Sequence, residues 1–450
     1  MTTIIVAIFI VGYAGIALEH GLKINKAATA LLMCVLCWVF YMCDAAAFIE
    51  SFRGVSVAPD ELSAWVNEHI LLEHLGDTCE TLFFLMGAMT IVEVVDANGG
   101  FNFVRESLAT TSKRSLLWRI AFMTFFLSAI LDNLTTSIVM VMVLRKLVAD
   151  KRDRLIYAGL VILSANSGGA FSPIGDVTTI MLWIKGSITT IGVITEIFLP
   201  SLVSMAVPAF ILQYSLKGTL KSPQVEADTT AEHAGQLSAV ERKVVFWLGV
   251  GGLCFVPVFR FLTDLPPFMG ILLVLGLLWS VTEIFFSRRG GHEDNGATLR
   301  VTRLLSRIDL STILFFLGIL MAVATLQETG VLTAFGQWLN TASGGNHYLV
   351  TGVIGVISSI VDNVPLVAGC MGMYPIAPTG DMAVDGLFWQ LLAYCAGVGG
   401  SILIIGSAAG VIVMGLEKIT FGWYLKHISW VALVGYLCGM LTYYVQNMIF

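Results

Sequence analysis

Charge is what this chain has least of. Asp, Glu, Lys and Arg make up 12% of its 450 residues, against about 25% in soluble domains, while 57% are hydrophobic. A soluble fold is excluded on composition. The short alternating segments of a transmembrane barrel are also missing. The first apolar run, 3–18, has no basic residue ahead of it and no small-residue cleavage site, so it reads as a retained membrane helix and not a signal peptide. A zinc or redox motif is lacking as well. Cys34-x-x-Cys37 has no second pair and no nearby histidine, and most of the eight cysteines lie inside apolar runs, where packing is the simpler role. The net charge of −6 argues for no macromolecular partner, and no nucleic acid is expected.

What is abundant is apolar length. Runs of 17 or more residues recur roughly ten times, the signature of an all-α polytopic membrane protein in contact with lipid. Hydropathy places helices near 3–18, 27–48, 81–96, 155–184, 192–215, 243–262, 266–286, 309–328, 387–415 and 427–448. Two further segments, 118–146 and 348–374, are each long for one crossing and short for two. Both carry polar residues in a run otherwise fit for lipid: "LDNLTT" at 131–136 and "VDNVP" at 361–365.

The basic residues decide between crossing and turning back. If both segments are re-entrant hairpins, 22 of the 25 Lys and Arg residues fall on one side, leaving Arg53, Lys185 and Arg260 for the other. The rich side is then cytoplasmic. Had 118–146 crossed, the basic clusters at its ends (Lys113, Arg114 and Arg119; Arg145, Lys146 and Lys151) would lie on opposite sides. The hairpin reading places both termini outside, with the acidic 49–80 loop.

The two odd segments belong to an internal repeat. "LFFLMGAMTIVEVV" at Leu82 echoes "LFFLGILMAVATLQ" at Leu314, an offset of 232. Asp132-Asn133 and Asp362-Asn363 are 230 apart, and "GGAFSPIG" matches "GGSILIIG" at 231. The chain thus divides into a first repeat, 1–215, a polar cytoplasmic linker, 216–242, and a second repeat, 243–450. Five crossings separate the hairpins, so one opens to the cytoplasm and the other to the outside. Inverted repeats with broken helices are the architecture of secondary transporters.

Each half then offers two irregular elements at membrane depth. One is the hairpin tip. The other is a Gly-rich break in the following long helix, "SANSGGAFSPIGDVTT" at 164–179 within 155–184, and "GVGGSILIIGSAAG" at 397–410 within 387–415. Pro173 removes a donor and paired glycines favour unwinding; the freed backbone groups must be buried or line a site. Three acids fall there, Asp132, Asp176 and Asp362, and Asp176 aligns with Ser407. No Lys, Arg or His falls in any of the four elements, which disfavours an anionic cargo. The set of Asp132, Asn133, Thr135, Thr136, Asn166, Ser167, Ser172, Asp176, Asp362, Asn363, Ser401 and Ser407 offers hard oxygens suited to a small cation and its proton competitor. A carboxylate at the midplane can hold either a proton or a metal cation, and exclusive occupancy with alternating access gives exchange. Plainer roles exist. Asp or Asn at a tip can cap the second leg, Asp176 can cap the helix half after it, and the glycines can serve close packing.

"SAILDNLTTSIVMV", "NSGGAFSPIGDVTT" and "VDNVPLVAGCMGMY" together resemble the NhaD-type sodium/proton antiporters of the ion transporter superfamily, over about 80–415. The resemblance implies a scaffold part, a moving transport part, an elevator-like cycle and a homodimer. In the superfamily's dicarboxylate branch, Ser-Asn-Thr motifs at the two tips help bind sodium. Here Leu131-Asp132-Asn133 and Val361-Asp362-Asn363 stand at those places, and aspartate for serine argues for a cation as cargo. The second break carries Ile404 where the first has Pro173. The expectation is exchange of Na+ (and Li+) for H+ in a bacterial cytoplasmic (inner) membrane. Na+ would sit at Asp132, Asn133, Asp176, Asp362 and Asn363, with Asp132 and Asp362 as chief carriers and no cofactor beyond the transported ions. An arsenite or di/tricarboxylate transporter of the same superfamily is the alternative. A membrane hydrolase fits less well, having no histidine near a midplane serine, and a passive channel would lack saturable coupling.

Overall fold

The computed structural model describes residues 1–17, 23–100, 107–108, 110–216, 218–220, 237–288, 300–360 and 363–449. Among these the chain is helical, apart from turns and one isolated antiparallel bridge, Ser112 to Thr219. Seven helices are long and apolar enough to cross a membrane, eight if one bent pair is counted as a span. The chain is a multi-pass membrane protein. Six further apolar helices have 10–17 residues.

Helix α1 (Thr2–Ala17) packs on α2 (Lys26–Met42), and an 84° bend at Cys43-Asp44 leads into α3 (Ala45–Arg53). The single helix expected at 27–48 is therefore broken, because Asp44 ends the apolar run and takes the N-cap place of α3. The acidic loop expected at 49–80 is also mostly helical. Helix α4 runs Leu62–Ala97 with one π turn at Asn67–Leu71. Its early turns bury Val66 and Ile70 at i, i+4 spacing and leave Glu68 and Glu73 exposed, an amphipathic pattern masked by the density of acids.

Helices α5 (Lys113–Leu131) and α6 (Asn133–Leu147) flank Asp132, and α7 (Lys151–Ala170) and α8 (Val177–Ile184) flank the first Gly-rich break. Then come α9 (Thr190–Leu212), α10 (Ala239–Thr263) and α11 (Pro267–Arg288). A Ser238–Glu241 capping box starts α10 inside the last residues of the expected linker, whose positions 217 and 221–236 lie outside the described residues. The second half continues with α12 (Leu310–Glu328), α13 (Val331–Ser343), α14 (His347–Ile357) and α15 (Asn363–Met373). It closes with α16 (Leu387–Gly399), α17 (Ala408–Glu417) and α18 (Phe421–Ile449).

Corresponding helices make corresponding contacts. Helix α2 packs on α12 and α11 on α4, α5 on α7 and α14 on α16, α6 on α17 and α15 on α8. The polar anchors repeat too. Ser128 Oγ donates to Ala165 O (2.6 Å) as Ser358 Oγ does to Ala396 O (2.8 Å).

The ends of the two DN segments are fixed at different places. Lys113 pairs with Asp153 and its carbonyl accepts the Tyr157 hydroxyl (2.8 Å), while Arg145 and Arg154 each donate to the buried Glu417 carboxylate (2.7 Å). The start of α5, the end of α6, the start of α7 and the end of α17 therefore meet. In the second half, His347 pairs with Asp381 (2.8 Å), and the His347 and Tyr374 rings both lie on Phe388. Asp385 joins that group to the α8–α9 junction by accepting both the N–H and the hydroxyl of Thr189 at 2.6 Å. This second cluster lies where α8 ends and α16 begins, the far ends of the α7–α8 and α16–α17 pairs.

Candidate cation site

Asp176 is the centre of the buried polar network. The chain leaves α7 at Phe171, turns through Ser172–Gly175, and reaches Asp176 in extended backbone (φ −146°, ψ 146°) as the N-cap of α8. Its Oδ1 accepts from the Thr178 N–H and hydroxyl (3.1 Å each), and its Oδ2 from Asn133 Nδ2 (2.9 Å). Asn363 Nδ2 lies 3.4 and 3.5 Å from the same two oxygens. Both DN motifs thus deliver their asparagine to one carboxylate that is 1% exposed. A helix N-terminus favours negative charge there.

The network crosses to the second break. Asn133 Nδ2 also donates to Asn166 Oδ1 (3.1 Å), and Asn166 Nδ2 donates to Ser407 Oγ (2.9 Å). Ser407 sits in the same backbone conformation as Asp176 (φ −143°, ψ 152°) and caps α17 through the Gly410 N–H. The second helix breaks between Gly399 and Ala408 although it carries no proline. Close backbone packing explains how. A Cβ on Gly168 would stand 2.1 Å from the Phe125 carbonyl oxygen, and one on Gly399 2.1 Å from that of Gly355. Gly175 and Gly406 likewise approach the carbonyls of Ser128 and Ser359.

Five expected residues thus come together: Asn133, Asn166, Asp176, Asn363 and Ser407. Asp132 stands apart from that network. It is half-buried, and its carboxylate turns to its own helix, accepting the Thr135 N–H (2.7 Å) and hydroxyl (3.0 Å). Asp132 also holds φ 89° and ψ 160°, a region glycine favours. The remaining hydroxyls lie elsewhere. Ser172 donates to Ala129 O, Ser167 accepts from Ser204 (2.8 Å), Ser401 donates to Val398 O, and the Thr136 hydroxyl is buried without a partner. Val361 and Asp362 lie outside the described residues. Thr178 and Thr179 lie in the quoted break at 164–179 but not among the candidate ligands, and both hold Asp176, Thr178 through its Oδ1 and Thr179 through its carbonyl (2.8 Å). The signal was present: "DVTT" after the break echoes "DNLTT" at the tip, each aspartate being held by a threonine of its own run.

No Lys, Arg or His side chain enters the network, and among the described residues no group of three or more His, Cys, Asp and Glu could hold a metal ion. The donors described are one carboxylate with amides and hydroxyls. The three basic residues assigned by counting to the poorer side occupy neighbouring places near the end of α8. Arg53 pairs with Glu328 (2.8 Å) and Glu73 (3.3 Å), Lys185 with Asp77 (3.2 Å), and Arg260 donates to Trp183 O (2.6 Å). A cavity of about 330 Å³ opens among Arg53, Glu73, Asp77, Glu80 and Lys185 and reaches Met181 of α8 and Ala368 of α15.

A family profile described as "Citrate transporter" matches residues 5–391. "Sodium/proton antiporter 1" of Arabidopsis thaliana is 45% identical, over 97% of this chain and 71% of its own length. "Sodium/proton antiporter 2" of the same plant is 41% identical over 97% of each chain. "Na(+)/H(+) antiporter NhaD" of Alkalimonas amylolytica is 30% identical, over 97% of this chain and 88% of its own. The chain belongs to the citrate-transporter family and, within it, groups with the NhaD-type sodium/proton antiporters.

Proposed function

We propose that the chain exchanges Na+ (and Li+) for H+ by alternating access, with Asp176 as the carboxylate the two ions share. The observation that carries this is the convergence of Asn133 and Asn363 on the fully buried Asp176. A proton on Asp176 neutralises it. When the proton leaves, the negative charge needs compensation at membrane depth, and a small cation supplies it. The asparagines suit both states. An amide donates its NH2 to the carboxylate in one orientation and presents its carbonyl oxygen to a cation in the other. Thr178 and the N-terminus of α8 hold Asp176 in place through the cycle.

The meeting of the α5 start with the α6 end, and of the α14 start with the α15 end, supports two re-entrant hairpins that open to opposite surfaces. The paired contacts of α2–α12 with α11–α4, and of α6–α17 with α15–α8, support inverted repeats. On this reading the Lys113–Arg154 end is cytoplasmic, the Arg53–Lys185–Arg260 end and both termini are outside, and the acid-lined cavity is the outer approach to Asp176. Movement is elevator-like within a homodimer in a cytoplasmic (inner) membrane. Asp132 and Asp362 remain ion-binding candidates, with Ser172, Ser167, Ser401, Thr135 and Thr136 as candidates outside the Asp176 network.

The test uses everted vesicles carrying a pH-sensitive dye. Adding Na+ or Li+ collapses an imposed proton gradient, and Asp176→Asn abolishes the response while the protein still inserts. No response of the unmodified protein to either ion overturns antiport; full activity of Asp176→Asn removes Asp176 from the reaction. The family description favours one second reading, a citrate-like anion as cargo. Proton flux that follows added citrate and ignores Na+ would establish it.

A further inference from the structure

A second cavity, about 580 Å³, adjoins the charged one, sharing Val323 with it, and has a different character. Its walls come from three places: Phe9 and Ile10 of α1, Leu326 and Phe335 of α12 and α13, and Ile357 and Gly369 of α14 and α15. Among the described residues no charged one lines it. Ile10, Phe335 and Ile357 line the cavity and are also 61%, 46% and 41% exposed, so it opens at the protein surface. Ile10 is near the middle of the 16-residue α1, so the opening faces hydrocarbon and not water. An apolar hollow holds no ordered water and takes apolar matter instead.

We propose that this cavity holds an acyl chain of a membrane lipid. The shape argues against a second copy of the chain, because protein partners bury broad complementary faces of about 800 Å² each. A crevice walled by three separate elements fits a slender flexible chain. Gly369 is the feature that makes room. A Cβ there meets only the Met373 methyl, at 3.8 Å, so the depth of the hollow depends on the missing side chain. Pro365 and Leu366, within a turn of Asn363, form part of the same wall. The lipid therefore touches the helix that delivers one of the two asparagines to Asp176.

The full-length protein is reconstituted with phosphatidylcholine carrying a diazirine near the end of one acyl chain, irradiated, and mapped by mass spectrometry. Adducts on Ile10 and Phe335 are expected in excess over those on Trp247 and Phe261, which are exposed on α10. Gly369→Leu fills the hollow and lowers the cavity adducts about tenfold while leaving the α10 adducts unchanged. If that variant does not fold, Phe335→Trp narrows the opening from the opposite wall and is read in the same way. Labelling no greater than at Trp247 and Phe261, or labelling indifferent to the substitution, overturns the proposal. The readout needs no ion flux, so its failure and a failure of Na+/H+ exchange are separate results.

Discussion

Asp176 and Ser407 occupy the same place in the two breaks, in nearly the same backbone conformation, and differ by one carboxylate. That difference makes the site asymmetric although the elements around it are paired. Asp132 shows a different use of the same residue type. As N-cap of α6 it bonds the Thr135 N–H, but it does so at φ 89° and ψ 160°, which costs a non-glycine residue about 1–3 kcal/mol. Replacing an N-cap aspartate by glycine costs only a few tenths of a kcal/mol. Strain relief therefore wins for Asp132→Gly, and its melting temperature in detergent should rise by the equivalent of about 1 kcal/mol. A fall would show that the tip carboxylate contributes more to the fold than its strain removes. That aspartates stand inside apolar runs was legible in the sequence. That Asp176 and not Asp132 meets Asn133 and Asn363 was not, because side-chain direction follows from turn geometry that residue types alone do not determine.

The helix breaks were legible because Gly and Pro cluster there, and the second forms without Pro173's counterpart because glycine packing suffices. Gly168 tests that account. Its missing Cβ lets α7 touch the Phe125 carbonyl, and Gly168→Ala places a carbon 2.1 Å from a backbone oxygen that cannot rotate away. Overpacking of this kind costs about 1–3 kcal/mol. Gly251, inside α10, has nothing within 4 Å of its would-be Cβ. There the same substitution should stabilise by about 0.5–1 kcal/mol through helix propensity alone. Melting temperatures of the two variants should move in opposite directions, and a harmless Gly168→Ala would rule out close packing as the reason for that glycine. The bend at Cys43-Asp44, the early turns of α4 and the whole of α13 were not visible to hydropathy. In each, tertiary packing of a short or acid-rich segment outweighs a weak apolar signal. Val66 and Ile70 are buried in α4 among exposed polar residues, and Leu332 and Gly336 are buried in α13, each pair at helical spacing.

At the scale of the molecule, counting basic residues separated Arg53, Lys185 and Arg260 from the rest, and they lie close together near the end of α8. Lys113, Arg145 and Arg154 gather at the start of α7, where they bind Asp153 and Glu417. The two groups sit at opposite ends of the α7–α8 pair, so a crossing by that pair puts them on opposite faces of the membrane. Two exposed positions report it, Arg152 at the start of α7 and Lys185 after α8. In a protein with its eight cysteines replaced, Arg152→Cys should react with an impermeant maleimide only in everted vesicles, and Lys185→Cys only in right-side-out ones. Neither substitution touches the Asp176 network, and the Lys185–Asp77 pair that one of them removes is exposed and contributes under about 1 kcal/mol. Labelling of both from one side would mean that α7 and α8 form a hairpin of their own. The two DN segments would then open to the same surface, and the inverted arrangement, with the alternating access built on it, would fall.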